Sequence, residues 1–392
     1  MADNKNALKL TVLLVSSLTI MSVITISPAL PAMSADFSDV PNGQFIVQMV
    51  LTIPALFISL TSPLAGILID RFGRLKLLYL AMVLYAIAGT SGFYLENLYH
   101  ILISRAVLGM AVGMSMTIVI TLIADYFQGH ERQKFTGIQV AFMSLGGILL
   151  VSLGGFLADI SWRTPFLIYI LSLVFLPMAV IYLYEPEVNR NVTRDRNIKS
   201  PPIIWLLIIN TMIMWILFFI LPVHLPFYLK TLGVEKNALI GIAVAVSTLF
   251  SAVSSFSYSK IKGRFSFFTI YFMGYLIMGT GLVLTSQATS YPLILTAMMF
   301  SGFGIGMMIP NTNLWIMQLA PMEIRGKEIG KLTMFWFMGQ FLSPIITLPL
   351  IGRFSLPELF MATAVILFTL SALFLVLHLA QVKKEKQLKT NL

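Results

Sequence analysis

A charged turn interrupts an otherwise apolar stretch of the sequence at Gly66-Ile-Leu-Ile-Asp70-Arg71-Phe-Gly73-Arg74-Leu-Lys76. The segments on either side, 45–69 and 75–94, are almost wholly apolar. Each is long enough to cross a membrane, because a spanning helix needs about 20 such residues. Gly73 permits a tight reversal of the chain. The stretch therefore predicts two membrane helices joined by a short charged turn.

The rest of the chain repeats this pattern. Of its 392 residues, 58% are hydrophobic and 11% are charged, and the mean hydropathy is +0.89, whereas about a quarter of the residues in a soluble domain are charged. This composition excludes a soluble fold and predicts an all-α membrane protein. Twelve transmembrane helices are expected near 10–32, 45–69, 75–94, 98–125, 133–158, 164–184, 203–229, 236–258, 266–286, 291–318, 329–351 and 357–380. The first exceeds the apolar region of a secretory signal peptide, about 7 to 15 residues, so we interpret it as a membrane helix.

Basic residues set the expected orientation. All but five of the 26 Lys and Arg residues fall on one side of the predicted membrane when both termini are placed there. Since cytoplasmic loops carry the excess of Lys and Arg, we expect a multi-pass protein of the cell (inner) membrane with both termini in the cytoplasm. The net charge of +10 is divided among short clusters, which argues against a nucleic-acid partner. The five exceptions are Arg105, Arg163, Lys230, Lys236 and Arg353.

The sequence also contains an internal repeat. At an offset of 193 residues it aligns Gly109 with Gly302, Gly113 with Gly306, Arg132 with Arg325, Lys134 with Lys327, Gly137 with Gly330 and Gly146 with Gly339. The repeat predicts two pseudo-symmetric six-helix bundles, at 1–185 and 203–392, joined by a cytoplasmic linker at 186–202. Parallel halves of this kind hold a substrate near the membrane midplane, between the bundles.

Three motifs carry a resemblance to a known family. The turn at 66–76 resembles the loop signature G-x-L-x-D-R-x-G-R-K of the major facilitator superfamily, with the Lys one place later. Arg105-Ala-Val-Leu-Gly109 is similar to that superfamily's R-x-x-x-G in the fourth helix. Ser27-Pro-Ala-Leu-Pro31 is similar to the end of the first helix in its 12-helix drug/proton antiporters. The resemblance covers nearly the whole chain and implies a secondary transporter that works by alternating access.

The same resemblance implies a conformational latch around the turn. Gly66 would let two helices approach closely, as small residues do in bilayers. In the family, the acid and the basic residues of this turn form a charge cluster with an Asp at the inner end of the fourth helix. Such a cluster holds the two halves in the outward-facing state and releases when a carboxylate is protonated. Alternatively, the basic residues are only orientation signals. The latch candidates are Gly66, Asp70, Arg71, Gly73, Arg74 and Asp125.

Polar and aromatic side chains inside the predicted helices are candidate substrate ligands. Arg105 is the only charged residue placed away from the ends of a span, where a charge at the centre costs about 2.5 to 3.5 kcal/mol on translocon scales, so it should face a partner or water. Alternatively, it extends to the membrane surface. His224, between two prolines, either carries a proton or is a neutral His bonded to a freed carbonyl. The other candidates are Ser22, Thr25, Gln139, Phe142, Trp215, Asn311, Asn313, Trp336 and Gln340.

These side chains predict a wide apolar cavity with few hydrogen-bonding groups, which suits lipophilic or amphipathic solutes. Each Trp alternatively belongs to an interfacial belt. The sequence departs from the antiporter pattern in two places. Leu150-Val151 stands where a Gly-Pro pair is usual, and no carboxylate lies within a predicted span apart from Asp125 and Glu358 at span ends. The proton-coupling candidates are therefore Asp36, Asp70, Asp125 and His224.

The expected function is proton-coupled efflux of lipophilic or amphipathic small molecules. The alternatives are a dedicated carrier for one metabolite, such as an organic anion steered by Arg105, and a non-enzymatic sensor on a transporter scaffold. We expect no enzyme, because the sequence has no intramembrane metal-like His/Asp pair, no G-x-S-x-G elbow and no phosphate-binding loop. No metal or other cofactor is expected. The expected partners are a small-molecule substrate, protons and the lipid bilayer, with the protein as a monomer.

Overall fold

The computed structural model describes residues 2–186, 200–322, 324–351 and 353–390. Within them, twelve helical spans are long and apolar enough to cross a membrane, which confirms the predicted number and the all-α class. The N half contains α1 (Ala2–Ile24), α2 (Leu30–Asp36), α3 (Gly43–Phe72), α4 (Arg74–Thr90), α5 (Leu98–Tyr126), α6 (Gly129–Ile160) and α7 (Leu171–Tyr182). The C half contains α8 (Pro202–Thr231), α9 (Asn237–Lys262), α10 (Phe267–Ser286), α11 (Tyr291–Leu319), α12 (Arg325–Ile351) and α13 (Leu356–Thr390). Most of the predicted linker, 187–199, lies outside the described residues, so the division at 185 and 203 stays a prediction.

The first span is built from two helices rather than the single helix predicted. A 3-10 turn at Ser27–Ala29 separates α1 from α2. Pro28 and Pro31 lack the N–H group that would bond to the carbonyl one turn earlier, so the helix is interrupted there. In α8, by contrast, Pro222 and Pro226 lie inside a continuous helix.

The repeat in the sequence is also a repeat in the packing. Gly109 in α5 lies against the backbone of Pro54 in α3, and Gly302 in α11 lies against the backbone of Ser247 in α9. A Cβ atom on either glycine would overlap that backbone. The contacted residues obey the same offset of 193 as the glycines, so the two-bundle prediction is confirmed. One turn later the pattern recurs, for Gly113 with Ile58 and for Gly306 with Ser251.

The largest contacts between the two halves are made by two pairs of helices. The N-half helix α6 packs on α9, and α3 packs on the C-half helix α12. The two interfaces are equivalent in the repeat, because the offset of 193 residues relates α6 to α12 and α3 to α9. Any cleft between the halves is therefore bordered by these four helices.

Several helices extend beyond the segments predicted for them. α6 begins at 129 and ends at 160, and α12 begins at 325. Glu131, Asp159 and Glu328 consequently lie inside helices, which corrects the expectation that no carboxylate besides Asp125 and Glu358 falls within a span. All three lie within one turn of a helix end, where the backbone has groups without a partner in the helix.

Candidate substrate cleft and the contacts that close it

The two ends of the molecule are named here after their turns. The Asn42 end carries the turn between α2 and α3, and the Gly73 end carries the turn between α3 and α4. Both named residues have a positive φ, 57° and 85°, and Gly73 makes the tight reversal that the sequence predicted. Among the described residues, the hydrogen bonds found between the two halves lie at the Asn42 end.

Asp159, near the end of α6, caps the first turn of α9. Its carboxylate accepts hydrogen bonds from the main-chain N–H groups of Asn237, at 2.6 Å, and Ala238, at 3.1 Å. The first N–H groups of a helix have no partner within the helix, and Lys236, which precedes α9, supplies no side-chain cap. A negative charge is also favoured at a helix N-terminus. A side chain of the N half thus completes a helix of the C half.

Two glycines bring α6 and α9 together beneath this cap. A Cβ atom on Gly155 would lie 3.1 Å from the Cα atom of Gly241 and 2.7 Å from the carbonyl oxygen of Asn237. A Cβ atom on Gly241 would lie 2.8 Å from the carbonyl oxygen of Val151. Only glycine allows the two backbones to approach this closely.

A buried polar cluster joins α3, α8 and α12. Nδ1 of His224 lies 3.4 Å from Nε2 of Gln48, and Nε2 of His224 lies 2.9 Å from the hydroxyl oxygen of Thr347. Each of the three side chains is buried, and Oε1 of Gln48 has no partner. The partners of His224 are therefore two side chains, one from each half, and not the freed carbonyl considered from the sequence.

The carbonyl that a proline frees in α8 is bound by the N half instead. Pro226 has no N–H group, so the carbonyl of Pro222 loses its donor within the helix. The hydroxyl of Ser27 donates a hydrogen bond of 2.5 Å to this carbonyl. We use the name clasp for three contacts between the halves: Ser27–Pro222, Gln48–His224 and Asp159–Asn237.

Polar contacts at the Gly73 end stay within one half. Lys5 and Lys9 of α1 pair with Glu131 of α6 at 3.0 and 3.1 Å. Gly137 of α6 and Gly330 of α12, which the repeat makes equivalent, both face open space. Within the described residues, no hydrogen bond or ion pair joins the halves at this end. Among the described residues, polar contacts thus join the halves at the Asn42 end only.

The candidate latch is partly assembled at the Gly73 end, inside the N half. Nε of Arg74 lies 2.9 Å from a carboxylate oxygen of Asp125. Glu185, which the sequence analysis did not single out, accepts hydrogen bonds from the main-chain N–H groups of Arg74 and Leu75 at 2.8 and 2.9 Å, and so caps α4. Glu185 adjoins the polar linker in sequence, and this position does not predict that it caps α4. The Asp70 side chain lies outside the described residues.

Two latch candidates make no latch contact. The structure corrects the expectation for Gly66, because a Cβ atom there would meet nothing within 4 Å. Close approach to α3 occurs instead where Gly109 and Gly113 of α5 meet it. Arg71 is exposed, and its guanidinium lies over the ring of Phe72 at 5.3 Å.

Arg105 is completely buried inside the N half. Its Nε donates to the carbonyl of Val50 at 3.3 Å, and Nη2 donates to the carbonyl of Ser22 at 3.0 Å and to the Tyr169 hydroxyl at 2.9 Å. The guanidinium also lies 4.8 Å from the centre of the Tyr169 ring. Its Nη1 has no partner, and none of the described carboxylates pairs with it. Because the charge is held in the interior, Arg105 does not extend to the membrane surface.

The carboxylates available for proton chemistry lie near the two ends. Asp36 is exposed at the end of α2 and accepts a hydrogen bond of 2.5 Å from the indole N–H of Trp162. Glu328 in α12 lies one residue before the predicted helix and was not among the candidates named from the sequence. Its side chain is fully buried, with one oxygen 2.6 Å from the Ser200 hydroxyl and 2.9 Å from Nζ of Lys331. The other oxygen has no partner.

Two tryptophans stack halfway along α8 and α12. The rings of Trp215 and Trp336 lie 4.4 Å apart, with 17° between their planes. They are 13 and 11 residues from the starts of their helices, or about 20 and 16 Å at 1.5 Å per residue, which excludes an interfacial belt. Gln340, one turn beyond Trp336, is 3% exposed. Both indole N–H groups and Oε1 of Gln340 have no partner.

The remaining polar candidates bond within their own half. Gln139 donates to the hydroxyl of Ser16 at 2.9 Å, and Phe142 packs against the hydrophobic core. Asn311 is fully buried and is held between the hydroxyl of Tyr258 and the main-chain carbonyl of Phe267. The side chains of Ser22, Thr25 and Asn313 each donate to a main-chain carbonyl three or four residues earlier in the chain.

A family model described as Major Facilitator Superfamily matches residues 12–344 and 236–391. The chain belongs to the major facilitator superfamily. It is therefore an integral membrane transporter and not an enzyme. The solved structures of superfamily members agree with this fold. A D-xylose-proton symporter gives a TM-score of 0.76 at 18% identity, over 94% of this chain and 96% of that one. A bacterial homologue of the lysosomal transporter Spinster, inward-facing and occupied, gives 0.77 at 15% identity, over 95% and 96%.

Relatives of similar length within the superfamily include exporters. The "Bacillibactin exporter" of Bacillus subtilis (strain 168) is 27% identical over 92% of this chain and 93% of its own length. The "Quinolone resistance protein NorA" of Staphylococcus aureus is 26% identical over 74% of this chain and 77% of its own length.

Proposed function

We propose that this transporter exports lipophilic or amphipathic small molecules by alternating access, with proton entry driving export. The observation that carries the proposal is the clasp, which joins two pseudo-symmetric halves at the one end where the described residues form hydrogen bonds between them. A carrier that rocks two halves about a central site must close one end while the other is open. The names of the two relatives, which refer to export of bacillibactin and to resistance to quinolones, support the outward direction.

The basic residues give the orientation. Lys5, Lys9 and Lys134 lie at the Gly73 end of the N half, and Lys327 and Lys331 lie at that end of the C half. By the positive-inside rule, the Gly73 end and both termini face the cytoplasm. The clasp then closes the outer side, and the transporter is in its inward-facing state. Substrate enters from the cytoplasm or from the inner leaflet of the bilayer.

Protons would act on the contacts at the two ends. Protonation of Asp125 removes the charge that holds Arg74, and so loosens the candidate latch. Protonation of His224 makes both ring nitrogens donors. Gln48 must then turn its amide to present the oxygen that now has no partner, while the hydroxyl oxygen of Thr347 accepts the other hydrogen bond. Protonation of His224 therefore acts on a contact between the halves, whereas protonation of Asp125 acts on a contact within the N half.

The test is transport in proteoliposomes that contain the purified chain and an imposed pH gradient. A panel of neutral drugs, lipophilic cations and organic anions gives the range of substrates. We expect saturable movement of lipophilic solutes that accelerates when protons flow the opposite way. Vesicles without protein provide the control for leakage. Equal saturable flux with and without the gradient would contradict proton coupling and indicate a facilitator. An absence of flux for the whole panel would contradict the efflux proposal.

A further inference from the structure

The carboxylates of the spans all lie close to the ends of their helices. Asp125 is one residue from the end of α5, and Glu328 is three residues from the start of α12. At 1.5 Å per residue, each is within about 5 Å of a helix end. The middle of the described spans therefore contains no carboxylate that could neutralise a cation. The same placement near a helix end holds for Asp36, Asp70, Glu131, Asp159 and Glu358.

The charge buried deepest in the spans is positive. Arg105 lies seven residues into α5 and is fully buried. Main-chain carbonyls and the Tyr169 hydroxyl bind it, and these groups do not cancel its charge. In a medium of low dielectric constant, such a charge attracts anions and repels cations over long distances. The electrostatics of the N half thus oppose a positively charged solute.

The C half supplies an aromatic wall with spare hydrogen-bond donors. Trp215 and Trp336 each have a buried N–H group without a partner, and an indole N–H can only donate. Gln340 adds one unpartnered oxygen beside them. Trp215 is 7% exposed, whereas Trp336 is only partly buried, so the Trp336 ring has surface left for another ring.

We infer that a central cleft between the halves takes planar aromatic molecules that are neutral or negatively charged and rejects lipophilic cations, with Trp215 and Trp336 as the aromatic wall of the site and Gln340 as its neighbour one turn further along α12. The inference rests on the proposed transport function and narrows its substrate class. Ring stacking on Trp336 accounts for the planar shape. Carbonyl, carboxylate or phenolate oxygens satisfy the two indole N–H groups. A cation, in contrast, would lose its water without gaining a counter-charge.

Fluorescein and rhodamine 123 make a matched pair of probes. They share a tricyclic xanthene ring system, but at pH 8 the first is an anion and the second a cation. Fluorescence anisotropy of each dye, titrated with the detergent-solubilised full chain, gives its affinity. We expect fluorescein to bind at least about tenfold more tightly, because only the cation is buried without a partner. Equal binding, or tighter binding of rhodamine 123, would overturn the inference.

Two variants locate the site. Trp336→Phe keeps a stacking ring and removes the N–H group, so fluorescein should bind about fivefold more weakly, as expected for one lost hydrogen bond. Trp205→Phe is the control, because Trp205 is an exposed residue of α8 near the Gly73 end. Gln340→Glu places a carboxylate in the middle of the membrane and should weaken fluorescein binding while strengthening rhodamine 123 binding. Unchanged affinities in Trp336→Phe and Gln340→Glu would overturn the assignment of the wall.

Dye transport in proteoliposomes separates this inference from the proposed function. Export of rhodamine 123 without export of fluorescein would overturn the charge preference and leave the export function standing. Tight binding of fluorescein without movement of either dye would overturn export of such molecules and leave the charge preference standing. Export of fluorescein alone supports both.

Discussion

Asp159 holds the first turn of α9 from the opposite half of the molecule, with its carboxylate 2.6 Å from the main-chain nitrogen of Asn237. We predict that Asp159→Ala favours the state that is open at the Asn42 end. Loss of an N-cap costs about 1 kcal/mol, which corresponds to about a fivefold change in the ratio of the two states. The chain has no cysteine, so spin labels can be attached directly through Gly137→Cys and Gly330→Cys. The distance between these labels, measured by pulsed EPR, should shift to shorter values.

The matched control for this cap is Glu358→Ala. Glu358 also caps a helix at the Asn42 end, by accepting a hydrogen bond of 2.7 Å from the main-chain N–H of Ser355, but donor and acceptor both belong to the start of α13. Its removal should leave the label distances unchanged. If both variants shift the distances equally, the clasp is not what sets the balance of states.

Gly155→Ala tests the close approach of α6 and α9. The added methyl group would lie 2.7 Å from the carbonyl oxygen of Asn237, and overpacking of this kind costs about 1 to 3 kcal/mol. We expect slower transport and a lower unfolding temperature. Gly137→Ala, in the same helix, meets open space and should raise helix stability by up to about 1 kcal/mol. Thermal unfolding should therefore show a lower midpoint for Gly155→Ala and an equal or higher midpoint for Gly137→Ala. Initial transport rates should fall in Gly155→Ala only.

His224→Gln tests the buried cluster of the clasp. Glutamine keeps a donor and an acceptor but cannot take up a proton, whereas an imidazole can. If His224 carries the coupled proton, stimulation of transport by a pH gradient should disappear while transport down a substrate gradient persists. Thr347→Val removes a partner of the ring but leaves it titratable, so it should lower the rate and keep the stimulation. Full stimulation in His224→Gln would exclude His224 from coupling.

Asp125→Asn imitates a protonated latch. The ion pair with Arg74 is partly shielded, with side-chain exposures of 31% and 9%, so its loss should cost about 1 kcal/mol or less. We expect the pH-gradient stimulation of transport to fall in this variant. Arg71→Ala is the comparison, since the Arg71 guanidinium lies over Phe72, and it should transport as the parent does. A larger defect in Arg71→Ala would show that Arg71, and not the ion pair of Arg74 and Asp125, governs the latch.

The fold could be predicted because the sequence features that determine it, apolar segments and a repeat, are local or periodic. Long apolar segments define the spans one by one, and the offset of 193 residues linked Gly109 to Gly302 before any contact was known. The contacts of those glycines with α3 and α9 follow from that symmetry. The break between α1 and α2 was missed, because prolines are also tolerated inside a helix, as in α8.

The site was less predictable because it depends on pairs that are distant in sequence. The clasp joins Ser27 to Pro222 and Asp159 to Asn237, which are 195 and 78 residues apart. The sequence around Asp159 and Glu185 does not distinguish them from other polar residues near a membrane surface. Each caps the first turn of a helix only because of how the helices pack. The stacking of Trp215 on Trp336 likewise depends on how α8 meets α12.

The cap on α9 lies at a helix start next to the solvent. When Asp159 withdraws, water molecules replace its oxygens at the exposed N–H groups of Asn237 and Ala238, so separation exchanges one set of acceptors for another. The net free energy of such an exchange is small, about 1 kcal/mol per hydrogen bond. Both conformations can then remain populated at rest, and a modest driving force is enough to reverse which of them predominates.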